Sequence, residues 1–187
     1  YSKDDFHVLG AAEQRLVVIE TTNGVLNDAL YAAVVPQALL TWQRVPLACR
    51  IATGGEEWTR AHARYNSGTY NNQYFVVDYK RFEPNATTAA AALRRGALWI
   101  SEQLPGLVKR HDVTDVLAAQ GFWAAYNIPW DDEIYNASGY RAAYERFGDA
   151  YSHANCTRAR IFAARAPNVS GLDAAQRLLR YNRYDTD

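Results

Sequence analysis

Apolar positions in this chain fall into short runs closed by turn-forming residues, a pattern of strands and short helices. Arg15–Thr22, "RLVVIETT", is a β-branched run ending in hydroxyls and predicts a buried strand. Because it is apolar at nearly every position, it asks for cover on both faces. Asn23–Gly24 turns the chain, and Asn27 can cap a short helix carrying Leu30, Ala33 and Val34 on one face. Pro36 ends that helix and suits the first position of the next, which runs through Leu39, Leu40 and Trp42 towards Pro46. Thr53 to Glu56 has the spacing of a capping box opening "EEWTRAHARY".

The stretch "YNSGTYNNQYFVVDYK", Tyr65 to Lys80, predicts a tight turn at Asn71–Asn72 followed by a strand. Tyr74, Val76 and Asp78 share one face of it, and Phe75, Val77 and Tyr79 the other, so cover on both sides is again expected. Ala89 to Ala92 predicts a helical surface excursion. "GALWISEQLPG" and "LVKRHDV" predict two strands joined by a Pro-Gly turn. Thr114 can cap "DVLAAQ", the acids Asp131, Asp132 and Glu133 suit a helix N-terminus, and Ser170 to Asp173 resembles a capping box before "AAQRLLRY". There is no internal repeat and no evident linker. The expectation is mixed α and β in one compact unit.

Composition narrows the function classes. The 187 residues are 49% hydrophobic and 21% charged, with 20 basic and 20 acidic side chains. That balance argues against a nucleic-acid partner and against a polybasic membrane patch. No apolar run reaches the roughly 20 residues of a membrane span, so no membrane anchor is visible in this chain. The opening "YSKDDFHVLG" is charged at once and does not read as a signal peptide. The chain has no Met, and the expectation is a processed or partial piece of a longer precursor. Asn85, Asn136, Asn155 and Asn168 each open an N-x-S/T sequon without an intervening Pro, which favours a glycoprotein of the secretory pathway. Cys49 and Cys156 fit no metal spacing. They can pair with each other, pair outside the chain or stay free, with a buried free thiol the simplest reading of Cys49.

Chemical motifs are sparse. There is no nucleophile elbow, zinc-protease helix, P-loop or dinucleotide fingerprint, so neither cofactor nor metal is expected. His111 and Asp112 are neighbours that point to opposite faces of a strand, which argues for a surface role. The acids at 131–133 suit a solvated helix start better than a cation site. His7, His62 and His153 stand alone, and Trp42, Trp58, Trp99, Trp123 and Trp130 read as core or groove lining. Thr22, Asn127 and Arg158 remain as polar residues at the ends of apolar runs, and by periodicity they are caps and turn-makers.

The ordered motifs "DDFHVLG", "VVIETTNG", "YNSGTYNNQYFVVDYK", "SEQLPGLV", "FWAAYNIPW", "IYNASG", "TRARIF" and "RLLRYNRYDTD" resemble the phospholipase B-like family of lysosomal glycoproteins over nearly the whole chain. The Ala run at 89–92 looks like a departure from it. The resemblance implies an N-terminal nucleophile hydrolase fold, a four-layer αββα sandwich of which residues 1–187 would supply the central part of one domain. The nucleophile, a Cys in that family, would begin another chain of the same precursor, with its own amino group as base.

The resemblance also assigns roles. Thr22 matches a pocket hydroxyl, Asn127 an amide that can donate to the oxyanion of an acyl-transfer intermediate, and Arg158 an arginine beside the nucleophile. It implies a lysosomal hydrolase of ester or amide bonds, acting on a lipid or amide small molecule with other fragments of the precursor as partners. The alternative is a catalytically inert lysosomal glycoprotein that keeps the domain as scaffold or luminal coat. On either reading "SGTYNN" is expected to be scaffold, not catalyst.

Overall fold

A computed structural model describes residues 5–183. Asp4 of the first motif and residues 184–187 of the last lie outside the described residues. The centre of the fold is one antiparallel sheet of five strands in the order β1-β2-β3-β4-β5: β1 Phe6–Leu9, β2 Leu16–Thr22, β3 Asn72–Asp78, β4 Leu98–Leu104 and β5 Leu107–Asp112. β1 was not anticipated, because four residues of mixed polarity give no periodic signal. The β4–β5 hairpin turns through Pro105 and Gly106, as its sequence predicts. Gly106 has φ 72°, and a Cβ there would lie 2.9 Å from that of Ala33, so the turn needs glycine on both counts.

Register sorts the strand residues onto two faces. Leu16, Val18, Tyr74 and Val76 pack beneath Val45, Ala48, Cys49 and Trp58 of α1 (Thr41–Ile51) and α2 (Gly55–Ala63). Phe75, Leu98 and Ile100 pack on the other face with Val113, Val116, Leu117, Trp123 and Trp130. The last five come from α4 (Thr114–Gln120), its approach and the segment after it. β3 is therefore covered on both sides, with only Val77 half-buried. β2 is not. Leu16 and Val18 are wholly buried, but Ile19 is exposed, as are Phe6 and Val8 beside it on β1.

Several local expectations shift. The helix after Pro36 starts later, at Thr41, and runs through Pro46 instead of stopping near it. The missing Pro46 N–H costs one intrahelical bond, while Val45 before it and Ala48 and Cys49 beyond it are buried against the sheet and hold the helix in place. Asn27 does cap the Asp28–Ala33 segment, as a 3-10 helix. Thr53 pairs its N–H and hydroxyl with Glu57, not Glu56. The Thr114 hydroxyl turns away from its helix to accept from Gly96 and Leu98 N–H. Ser170 makes no cap, and Gly171 precedes α8 (Leu172–Leu179). The Ala run forms the short α3 (Ala89–Ala92), capped by Thr88. The acids at 131–133 open α5 (Asp132–Ala137), with Asp131 Oδ1 accepting from Glu133 and Ile134 N–H. Then follow α6 (Tyr140–Phe147) and α7 (Thr157–Arg165). Cys49 and Cys156 are both buried free thiols.

Residues 65–73 form a polar scaffold. Asn71 donates to Gly68 O, Gln103 donates to Thr69 O and Asn71 Oδ1, and the buried guanidinium of Arg44 meets Gln103 Oε1, Thr41 Oγ1 and the carbonyls of Leu39 and His62. Asn71, Gln103, Thr69 and Arg44 thus satisfy one another where this segment enters the sheet, while Asn72 Oδ1 and Gln73 Oε1 are buried without a hydrogen-bond partner. Burial pushes the Arg44 pKa down to about 10, which leaves it charged at neutral pH.

Candidate functional site

Three segments distant in the chain meet at one end of the sheet. β2 ends in Thr21–Thr22, the segment after α4 brings Asn127, and the first turn of α7 brings Arg158. Arg158 donates from one terminal nitrogen to Asn127 Oδ1 at 2.7 Å and from the other to Tyr126 O. Asn127 Nδ2 donates to Thr21 Oγ1 at 2.9 Å and to Thr22 O at 2.8 Å. Its backbone carbonyl accepts from the Tyr140 hydroxyl at 2.9 Å. Asn127 also has φ 63°, the left-handed region that asparagine tolerates better than most residues. A strained backbone held by four outside groups is a common property of functional sites.

A guanidinium can only donate, so the Asn127 atom facing Arg158 is the oxygen. Both amide hydrogens then face β2. Asn127 and Arg158 are in direct contact, and Thr22 joins them through its carbonyl. The hydroxyl that reaches Asn127 is that of Thr21, which sequence reasoning passed over. Alternation in the strand explains this, because Thr21 shares the face of Gln73 and Glu102, and Thr22 the other.

Beneath this junction lies Glu102, fully buried on β4. Its Oε1 accepts from Asn23 Nδ2 at 3.1 Å, from Gln73 Nε2 and from Trp130 N at 2.9 Å; its Oε2 accepts from Asp131 N at 2.6 Å. Burial pushes its pKa up, and these four donors oppose that rise. His111 pairs with Asp131, Nε2 to Oδ2 at 2.7 Å, not with its neighbour Asp112. Lys109 pairs with Glu133. Beside Tyr126 an open cleft of about 440 Å³ is walled by Trp123, Tyr126, Trp130, His153, Ala159 and Ala163. Among the described residues no three His, Cys, Asp or Glu side chains cluster to hold a metal ion, and no helix is long and apolar enough to cross a membrane.

The four sequon asparagines are all exposed. Asn136 accepts from Arg141 Nε at 3.1 Å, and Asn155 sits at 3.5 Å from Asp149 Oδ1.

Comparison with known proteins agrees with the motif order. The Phospholipase B family model matches residues 1–187. The chain belongs to the phospholipase B family. It is 41% identical over 187 residues to Phospholipase B-like protein G of Dictyostelium discoideum, covering all of this chain and 31% of that protein. It is 41% identical over 186 residues to Phospholipase B-like 1 of Rattus norvegicus and to Phospholipase B of Crotalus adamanteus, covering 32% of each. This phospholipase B-family chain thus spans about a third of the length of the curated relatives it matches.

Proposed function

We propose that this chain is part of a phospholipase B-family hydrolase that cleaves ester or amide bonds by acyl transfer. The observation that carries the reading is the junction of Thr21–Thr22, Asn127 and Arg158, three polar segments tied together beside an apolar cleft within a chain of this family. The nucleophile is the N-terminal Cys of another chain of the precursor, and the sheet described above is one of two in a four-layer αββα sandwich.

Arg158 is held in place by two acceptors, Asn127 Oδ1 and Tyr126 O. It can stabilise a nearby thiolate or hold an anionic group of the substrate. Asn127 holds both Arg158 and the end of β2. To donate to an oxyanion, its amide releases one of its two β2 acceptors when substrate arrives. Thr22 adds an exposed hydroxyl at the same strand end. Four exposed sequons support a glycoprotein of the secretory pathway, and the family resemblance supports the lysosome.

A second reading is a scaffold glycoprotein without turnover, and the engagement of both Asn127 amide hydrogens favours it. One experiment separates the two. The complete protein is assayed for fatty-acid release from phosphatidylcholine and from a fatty-acid amide, and the N-terminal residues of its polypeptides are sequenced. Release together with an N-terminal Cys, Ser or Thr supports the hydrolase. No release, or another residue at every new N-terminus, overturns it.

A further inference from the structure

Glu102 is a buried carboxylate whose four hydrogen-bond partners are all neutral donors. Burying a carboxylate without a counter-ion is costly, so its surroundings are informative. Asn23 directly follows Thr22. Trp130 and Asp131 follow Asn127 after Ile128 and Pro129, and Pro129 restricts the backbone between them. Gln73 ties the group to the neighbouring strand. One carboxylate therefore grips two of the three segments that carry the candidate site, each within a few residues of it. Asn23 is itself 3% exposed, and its backbone N–H bonds Asn71 O at 2.9 Å, so the grip on β2 is anchored to the sheet.

We infer that Glu102 is a positioning residue for the candidate site, clamping the Thr22–Asn23 corner to the Asn127–Asp131 segment. Asn127 and Arg158 are set by that clamp, because Asn127 bridges the same two segments from the exposed side. Glu102 touches neither of them, and its effect on the reaction is indirect. The inference rests on the proposed function for its catalytic consequence, but not for the clamp itself.

Glu102→Gln keeps the volume and removes one acceptor oxygen. An amide N–H₂ then faces the Asp131 N–H, donor against donor. Asn23→Leu cuts only the β2 side of the clamp. Both variants are made in the complete protein and assayed with a short-chain phosphatidylcholine, and amide hydrogen exchange is followed at Trp130 and Asp131. Glu102→Gln should lose protection at those two amides while the β3 and β4 amides keep theirs. In both variants kcat should fall by about 100-fold, the effect of misplacing a reacting group by about 1 Å, with KM little changed. Wild-type kcat in either folded variant overturns the positioning role. Unaltered protection at 130 and 131 in Glu102→Gln overturns the clamp. If Glu102→Gln does not fold, Asn23→Leu decides by its kcat. If the wild-type protein itself releases no fatty acid, the proposed function and the positioning role fall together, and exchange at the two amides still decides whether the clamp exists.

Discussion

The Arg158 guanidinium lies 2.7 Å from Asn127 Oδ1, and that contact orients the Asn127 amide towards β2. Asn127 is therefore a hinge-pin between α7 and the end of β2, on a left-handed backbone. Two substitutions separate its side chain from its backbone. Asn127→Ala and Asn127→Gly both remove the bridge, and in an active assembly both should lower kcat by about 100-fold. They should differ in stability, because only glycine accepts φ 63° freely. Asn127→Ala should unfold with about 1 kcal/mol less stability than Asn127→Gly. Thermal unfolding of the two in parallel checks this, and equal stabilities would show that the backbone relaxes without cost.

Arg158→Lys tests whether charge or fork geometry matters. One ammonium on a flexible stem cannot reproduce two fixed contacts, to Asn127 Oδ1 and Tyr126 O. The expected result is a fall in kcat of about 100-fold with the charge retained, from misplacement alone. Full activity in Arg158→Lys would reduce the requirement to a positive charge.

The core histidine makes stability depend on pH. His62 is fully buried, stacked on Trp58 at 5.0 Å between ring centres and tilted against Tyr74. Burial first, and the nearby Arg44 charge second, hold its pKa well below the ordinary 6.5. The folded state then keeps it neutral where the unfolded state binds a proton. Its contribution is present above the unfolded value and is lost as pH falls towards the folded one. His62→Phe keeps the ring and removes the titration. Urea midpoints at about pH 7 and about pH 5 should show the wild type losing more stability in acid than the variant, by up to about 1.4 kcal/mol per pH unit. Parallel losses would assign the acid sensitivity to other groups, His153 first among them, since burial lowers its pKa too.

The sequons give a prediction read by mass. All four asparagines are exposed, so none is barred by burial from carrying a glycan. At least two of Asn85, Asn136, Asn155 and Asn168 should be glycosylated in native material. Asn155 stands just before Cys156 and α7, so a glycan there must point away from Arg158. Intact mass before and after deglycosylation measures this, and an unchanged mass would remove the secretory and lysosomal reading.

What the sequence made legible was local. The β4–β5 hairpin follows from two runs of strand formers around Pro105–Gly106, and β3 follows from its run of large apolar residues on both faces, although the tight turn expected at Asn71–Asn72 is not there: Asn72 already belongs to the strand, and the left-handed residue before it is Tyr70. The α5 start follows from acids placed where N–H groups are unpaired. Glu102 was not legible, because in "WISEQL" it looks like a solvent-facing residue. Its burial depends on donors between 28 and 79 residues away in the chain. The His111–Asp131 pair, 20 residues apart, was hidden for the same reason. Family resemblance named Thr22, Asn127 and Arg158, yet only the packed sheet shows that Thr21 supplies the hydroxyl in contact with Asn127.

The open face of β1 and β2 yields the last prediction. Phe6 pairs with Ile19 and Val8 with Val17, so these four side chains share the sheet face that carries Phe75. On β3 and β4 that face is covered. On β1 and β2 it is not, and Phe6 is 62%, Val8 63% and Ile19 39% exposed. A contiguous apolar strip on a strand pair that includes a sheet edge is a liability for a free chain. Covering a few hundred Å² of it is worth several kcal/mol at about 25 cal/mol per Å², comparable with the net stability of a typical domain. Residues 1–187 span about a third of their relatives' length. The expected cover is further polypeptide of the same precursor, packed on this face non-covalently, since the chain's two cysteines are buried free thiols elsewhere in the fold. Denaturing mass spectrometry of the native particle should reveal that polypeptide. Phe6→Asp or Val8→Asp should weaken its retention while leaving the α1 and α2 side of the sheet intact. A monodisperse preparation of residues 1–187 that unfolds cooperatively on its own would show that the strip needs no cover, and would refute the two-sheet reading built on it.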